Sequence, residues 1–499
     1  MEIRLKLIKI ISSPLSFVLI ALLISTKGNL EIIDTEYSVR TALALIEDGS
    51  MLIDVVDQAV LEIAPKIDGT EKIYSQYGLG LVAIFLPIVS VGKLISSVLG
   101  IDQRIIIDFL LSFYNVPFAI LGLYFFRSIL MRFGTSESKA NLCMLLLFCC
   151  TGFWKYSVTD FSEITQVAFL LGAINASLLE KASKWKHVSF WCALLVAMKL
   201  VYVILLPIFF GYAIWSETEK KDLNKLSCRC LDFCLFLLPI GFFLAYMNYL
   251  RFGSIFETGY GSQAASFSID FFRRDWFDYL FSMQRGIFPF NPILLISSIG
   301  WFFLPKVNRK FFIFIGSIIF IWFILMCFWK SLQGGYCWGN RLLIPILPLL
   351  FMPLAFVPFH SKIRLLTLII VAVFSCVIQI SSVCTKTHEV SVLRNEIHSQ
   401  TNLSTSSQLP STLRLFWHKL TNDSTIVPAF AMGVSSEQSY DLSSYESFYG
   451  FNLWPIHALK FIGLKSLCYP LSLILLVIAL ALVVLLFHSN FKQYRNQQL

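Results

Sequence analysis

An all-α, polytopic bundle of about 12–13 transmembrane helices is the fold class this sequence predicts, and three observations predict it. Of its 499 residues, 57% are hydrophobic and 14% charged, with a mean hydropathy of +0.72, whereas soluble domains carry about a quarter charged residues. Apolar runs of about 20 residues recur, each able to span about 30 Å as helix. The basic residues gather between those runs, where the positive-inside rule places cytoplasmic loops.

In chain order, the basic start Met1 to Lys9 leads into an apolar run over 10–26. No small-x-small cleavage site closes it, so it reads as an uncleaved first span with a cytoplasmic N-terminus. Further runs lie near 79–99, 105–126, 140–154, 164–180, 188–215, 230–250, 287–304, 311–329, 342–359, 363–383 and 469–488. The run at 188–215 is long enough for two short helices broken at Lys199 and Pro207. Lys181 to Lys186, Lys220 to Arg229, Lys306 to Lys310, and Lys362 with Arg364 then face the cytoplasm, leaving 27–78, 155–163, 251–286, 330–341 and 384–468 outside. One conflict stands. Two full crossings within 79–126 would carry Arg127, Arg132 and Lys139 to the outside, so either one run is re-entrant or that loop breaks the rule. The division expected is a membrane domain over 1–383, an outer Ser/Thr/Asn-rich segment over 384–468, and a last span with a cytoplasmic tail over 469–499.

The loop at 27–78 holds ten acidic residues against four basic ones. Within it, Tyr37 to Ile46 has helical periodicity and stops at Asp48-Gly49, which predicts an amphipathic helix lying along the membrane surface. The twelve cysteines sit mostly in or beside apolar runs with no CxxC pair, as small buried hydrophobes do. The net charge of +9 is accounted for by the cytoplasmic connectors, so no nucleic-acid partner is assigned. P-loop, HExxH and GxSxG motifs are missing from the sequence, which argues against ATP-driven pumping and zinc hydrolysis.

The residues able to carry chemistry are charges at the ends of spans. Asp34 and Glu36 follow the first span, where a low dielectric raises a carboxylate's proton affinity toward that of a general base. Solvated acids in an acidic loop are the plainer reading of the pair. Glu163 lies in a short polar connector on the same side. Lys199 sits inside an apolar run, where a charge costs about 2.5 kcal/mol or more unless it meets a partner or cavity; the alternative is a lysine snorkelling to an interface. Arg341 precedes a Pro-rich span, and its fork of donors suits a phosphate, although an interfacial arginine in an aromatic belt would look the same. Glu257, Tyr260 and Arg285 belong to a Gly-punctuated outer loop able to shape a site.

Four stretches together resemble the GT-C superfamily of membrane glycosyltransferases: Asp34 to Gly49, Lys72 to Gly80 with Pro87, Tyr156 to Glu163 followed by Lys199, and Asn248 to Tyr260 coupled to Trp338-Gly339-Asn340-Arg341. They occur in order over residues 1–360. One departure is that Thr35 separates the two acids, which many members hold adjacent, leaving open which carboxylate is the base and whether a divalent metal ion is bound. The resemblance implies that a sugar linked to a polyprenyl phosphate enters from the bilayer of a bacterial inner membrane, its phosphate held by Lys199 and Arg341. Asp34 then deprotonates an acceptor hydroxyl of a lipid, glycan or protein on the outer face, and the anomeric carbon inverts. Arg40 and Tyr77 join Glu163, Glu257, Tyr260 and Arg285 as expected substrate contacts. The competing class is a transporter or flippase for a lipid-linked or anionic solute, with Lys199 and Glu163 lining a path.

Overall fold

With no water in the hydrocarbon to serve its polar groups, a spanning backbone must satisfy its own hydrogen bonds, and this chain does so as helix almost throughout. The computed structural model describes residues 13–54, 72–181, 183–218, 223–260, 267–329, 337–359, 361–390, 407–422 and 450–496. The expectations for Met1 to Lys9, for most of the Ser/Thr/Asn-rich segment and for Gly334 to Tyr336 lie outside the described residues.

The first span, α1 (Pro14–Ser25), starts under Ser13, whose hydroxyl accepts from the Ser16 amide, with Pro14 in the first turn. The predicted amphipathic helix is α2 (Ile33–Glu47), ending at Asp48 with Gly49 in the left-handed region at φ 63°. Strands Leu52–Asp54 and Lys72–Tyr74 form one antiparallel ribbon, whose Ile53 and Ile73 pack with Tyr37 of α2.

Next come α3 (Leu79–Leu99) and α4 (Gln103–Leu111), joined through Gly100 at φ 66° and Asp102, which caps α4 by accepting from the Arg104 amide at 2.7 Å. By length and composition α3 could cross a membrane, but its partners keep it at one end of the bundle. Its first turn meets Ala197 and Met198, Phe85 packs edge-on against Tyr114, and Gly92 touches Ile107. Lys93 reaches Glu47 at the end of α2, while Arg104 of α4 pairs with Glu36 near its start. The hairpin thus packs along α2, and α4 runs on into α5 (Asn115–Arg132).

Were α3 not a crossing, the conflict over Arg127, Arg132 and Lys139 would fall away. Beyond α5 follow α6 (Glu137–Cys150), α7 (Glu163–Ser177), α8 (Lys184–Met198) and α9 (Leu206–Thr218). The run at 188–215 is two passages, as the sequence suggests: α8 stops at Lys199, whose backbone is extended (φ −149°, ψ 121°) before a 3-10 turn at Leu200–Leu205. The later passages include α10 (Leu237–Phe252), Ile293–Val307, α11 (Arg309–Cys327), Arg341–Phe356, α12 (Lys362–Cys384) and α13 (Cys468–Asn496). Among the described residues, setting α3 aside leaves twelve apolar passages.

The basic connectors gather at one end. Phe133 packs on Phe311 with ring centres 4.3 Å apart, Arg132 donates to Asn175 at 3.2 Å, Lys186 lies 3.6 Å from Asp232, and Lys310 sits over Trp215. The chain is a multi-pass helical membrane protein with a basic end and, opposite it, the end carrying α2, α3 and α4. The described cysteines are free thiols, mostly buried.

Candidate functional site

Asp34 enters through the anchoring of its helix. The Asp160 carboxylate, buried in the connector between α6 and α7, accepts from the Ile32 amide at 2.9 Å and the Glu31 amide at 3.2 Å. The Asp160 carbonyl takes the Thr35 hydroxyl at 2.5 Å. Burial, and then the Glu31 charge, push the Asp160 carboxyl up to about 7. The first turn of α2 is thereby locked to the connector, with its two acids at the positive end of the helix dipole. Successive helical residues turn by about 100°, so Asp34 and Glu36 leave the locked Thr35 toward different neighbours.

Asp34 meets the site. One oxygen, Oδ1, accepts from the Tyr77 hydroxyl at 2.8 Å, and Oδ2 lies 3.0 Å from Nη1 of Arg341. Burial alone would raise the Asp34 pKa, the direction expected from its place at a membrane edge. The Arg341 charge and the Tyr77 hydrogen bond outweigh it and hold the carboxyl below its ordinary value. Tyr77 is pushed up correspondingly by burial and by Asp34. The Arg341 guanidinium lies over the Phe161 ring, 4.6 Å from its centre.

Beside this pair stands a second. Glu163, the first residue of α7, is 2% exposed, and its Oε1 takes Lys199 Nζ at 2.9 Å. Lys199 is there because α8 ends at it, so the break in the apolar run places an ammonium beside a buried carboxylate. Tyr260 is pushed up to about 12 by burial and then by the nearby Asp34 charge. Its loop closes over Tyr77, with Arg251 donating to the Ser75 carbonyl at 3.1 Å and Gly259, at φ 80°, packed against Gln76.

The turn carrying Arg341 is pinned from three directions. Tyr156 donates to the Trp338 carbonyl at 2.6 Å. Arg285, buried, donates to the carbonyls of Cys337 at 2.5 Å and Gly339 at 3.2 Å. Gln408 accepts from the Gly339 amide at 2.9 Å and donates to the Cys337 carbonyl at 2.7 Å. Gly339 is required there, since its φ of 54° favours glycine and a Cβ would lie 2.8 Å from the Phe290 ring.

Asp34, Tyr77, Glu163, Lys199, Tyr260 and Arg341 therefore converge. The other residues singled out from the sequence are engaged elsewhere. Glu36 is clamped between Arg40, at 2.8 Å on its own helix, and Arg104, which in turn holds Asp108 at 2.7 Å, so Glu36, backed by Arg40, ties α2 to α4. Glu257 accepts from the amides of Thr258 and Gly259 at 3.0 and 2.9 Å and stiffens its own turn. Arg285 works behind Arg341 rather than beside it. Sequence reasoning passed over Asp160, Phe161, Arg104 and Gln408. The signal for Asp160 was the same as for Glu163, an acid in a short connector between two apolar runs, and Arg104 stands four residues before Asp108 on one helix face.

The carboxylates facing the site, Asp34 and Glu163, each pair with a cation, and among the described residues no group of three His, Cys, Asp or Glu side chains able to hold a metal occurs.

No protein-family model and no curated protein matches the sequence. Among solved structures, the chain is similar to ArnT from Cupriavidus metallidurans bound to undecaprenyl phosphate, at 12% identity and a TM-score of 0.49, covering 85% of this chain and 81% of that one. It is also similar to the apo Archaeoglobus fulgidus oligosaccharyltransferase, at 12% identity and 0.48, covering 80% and 59%. The apo form of the same ArnT gives 11% identity and 0.46, covering 87% and 83%. At such identities and TM-scores, what this chain does rests on its own residues.

Proposed function

We propose that this protein is a membrane glycosyltransferase that moves a sugar from a polyprenyl-phosphate donor to an acceptor hydroxyl, at the outer face of a bacterial inner membrane. The observation that carries the reading is the convergence of one partly exposed carboxylate, Asp34, with two cations, Arg341 and Lys199, at the end of the bundle away from the basic connectors. A donor phosphate arriving along the bilayer would lie against the two cations, Arg341 with its fork and Lys199 as a point charge. Asp34 would take the proton of the acceptor hydroxyl, whose oxygen forms the new bond to the anomeric carbon with inversion. The bond from that carbon to the phosphate oxygen breaks, and its electron pair stays on the phosphate. An existing phosphate is a good leaving group, so no protein acid is needed; positioning and charge stabilisation supply most of the acceleration. The acceptor class, whether lipid, glycan or protein, is open.

The transporter reading finds some support in the unwound segment at Lys199, of the kind that lines transport paths. Against it, the charged groups lie at one end of the bundle beside the surface helices, whereas transport sites lie near the bilayer midplane.

The test is incorporation of radiolabelled sugar from polyprenyl-phosphate donors into membrane acceptors, with wild type and Asp34→Asn at matched expression. The reading expects transfer by wild type and a loss of at least a hundredfold in the variant. Equal transfer by both would remove Asp34 from the chemistry, and transfer by neither would favour the transporter.

A further inference from the structure

The proposed reaction needs Asp34 and Arg341 separately, one for the acceptor hydroxyl and the other for the donor phosphate. In the structure they neutralise each other: Oδ2 of Asp34 is 3.0 Å from Arg341 and Oδ1 is taken by Tyr77 at 2.8 Å. A carboxylate so paired has little call on a proton. The Arg341 side chain rests on Phe161, and its turn is held by Tyr156, Arg285 and Gln408, so the guanidinium stays in place when its anion changes.

The surroundings carry a second, independent sign of a self-paired site. Glu163 Oε2, Arg341 Nε and both amide atoms of Asn340 are buried with no hydrogen-bond partner. Each such atom costs about 1–3 kcal/mol, and their falling on Arg341, on its chain neighbour Asn340 and on Glu163, whose charge acts on Arg341, marks a place whose polar groups are completed in another state. A phosphate, with several oxygens and more charge than a carboxylate, is the stronger partner for the Arg341 fork.

We infer that Asp34 occupies, in the resting protein, the donor phosphate's place on Arg341, so that donor binding displaces the carboxylate and releases it to act on the acceptor. The inference rests on the transferase reading above. It makes binding ordered, donor before acceptor, and leaves Tyr77 as the partner that keeps Asp34 oriented once Arg341 has changed hands. Lys199, Glu163 and Tyr260 also face the exchange, and Cys337 and Tyr156 act on Arg341 from behind. Coupling between two ligands of one group is reciprocal: if phosphate drives Asp34 off Arg341, removing the carboxylate's charge must tighten phosphate.

The experiment is equilibrium binding of undecaprenyl phosphate to the full-length protein in lipid nanodiscs, with folding checked by thermal unfolding. Asp34→Asn, with Asp34→Ala in reserve if the first does not fold, should bind about tenfold tighter than wild type. Tyr77→Phe should bind several-fold more weakly, because it strands the displaced carboxylate, and the double variant should behave as Asp34→Asn. Binding by folded Asp34→Asn that is equal to or weaker than wild type, with Arg341→Ala abolishing binding, overturns the displacement and leaves the transferase reading standing. Tyr77→Phe binding like wild type would also overturn it, since simple repulsion between Asp34 and phosphate needs no Tyr77. If Arg341→Ala binds like wild type, the phosphate does not sit on Arg341, and the transferase reading of this site fails as well.

Discussion

Arg285 donates from Nη1 to the carbonyl of Cys337 at 2.5 Å and to that of Gly339 at 3.2 Å, fixing the turn that ends at Arg341. It is a positioning residue. Arg285→Ala should weaken undecaprenyl phosphate binding about tenfold, and Arg285→Lys, which keeps a cation but not the fork, should fall between. Binding in nanodiscs checks this. A purely structural role would lower unfolding temperature in both variants without grading the affinity.

Glu163 is 2% exposed and depends on Lys199 for its partner, while Lys199 is about a third exposed. Removing the cation alone strands a buried charge; removing both charges does not. Lys199→Met should lose about 1–3 kcal/mol, less than a fully buried pair would, and Lys199→Met with Glu163→Gln should recover much of it. Thermal unfolding of the three proteins decides, and a double variant as unstable as the single would contradict the pairing.

Gly80 lets α3 pass against the end of α8: a Cβ there would lie 2.7 Å from the Ala197 carbonyl carbon. Because the obstacle is backbone, it cannot rotate away. Gly80→Ala should cost about 1–3 kcal/mol and, by shifting Tyr77, which holds Asp34, reduce transfer further than the stability loss explains. Activity measured well below the unfolding temperature separates the two effects.

The clamp on Glu36 gives a pH dependence of definite sign. Burial raises its pKa, but the hydrogen bonds and charges of Arg104 and Arg40 outweigh burial and leave it below the ordinary glutamate value. A carboxylate depressed in the folded state contributes stability that is present above its unfolded pKa of about 4 and is lost as pH falls through the folded value. Wild type should therefore unfold at higher temperature than Glu36→Gln at neutral pH, and the gap should close in acid. A gap independent of pH would mean that the clamp is not electrostatic.

Much of the architecture was legible because lipid imposes lengths and periodicities on any sequence it hosts. The amphipathic helix ending at Gly49, the break at Lys199 and the grouping of basic connectors all follow from spacing and composition. The run 79–99 stayed open for a physical reason: an apolar helix packed on an amphipathic one has the composition of a spanning one, and its contacts with Met198, Tyr114 and Ile107 are not in the sequence pattern.

The site divides in the same way. By itself the sequence determined a multi-pass helical membrane chain, and it marked Asp34, Glu163, Lys199 and Arg341 as charges stranded at the ends of apolar runs, because such charges are costly enough to be conspicuous. Tertiary structure alone decided that these four pair with one another. It also decided that Glu36 and Arg40 hold a surface helix instead, and that Asp34 is held below its ordinary pKa rather than raised. The sign of a shift depends on which cation stands three ångströms away, and Arg341 reaches Asp34 from more than 300 residues along the chain.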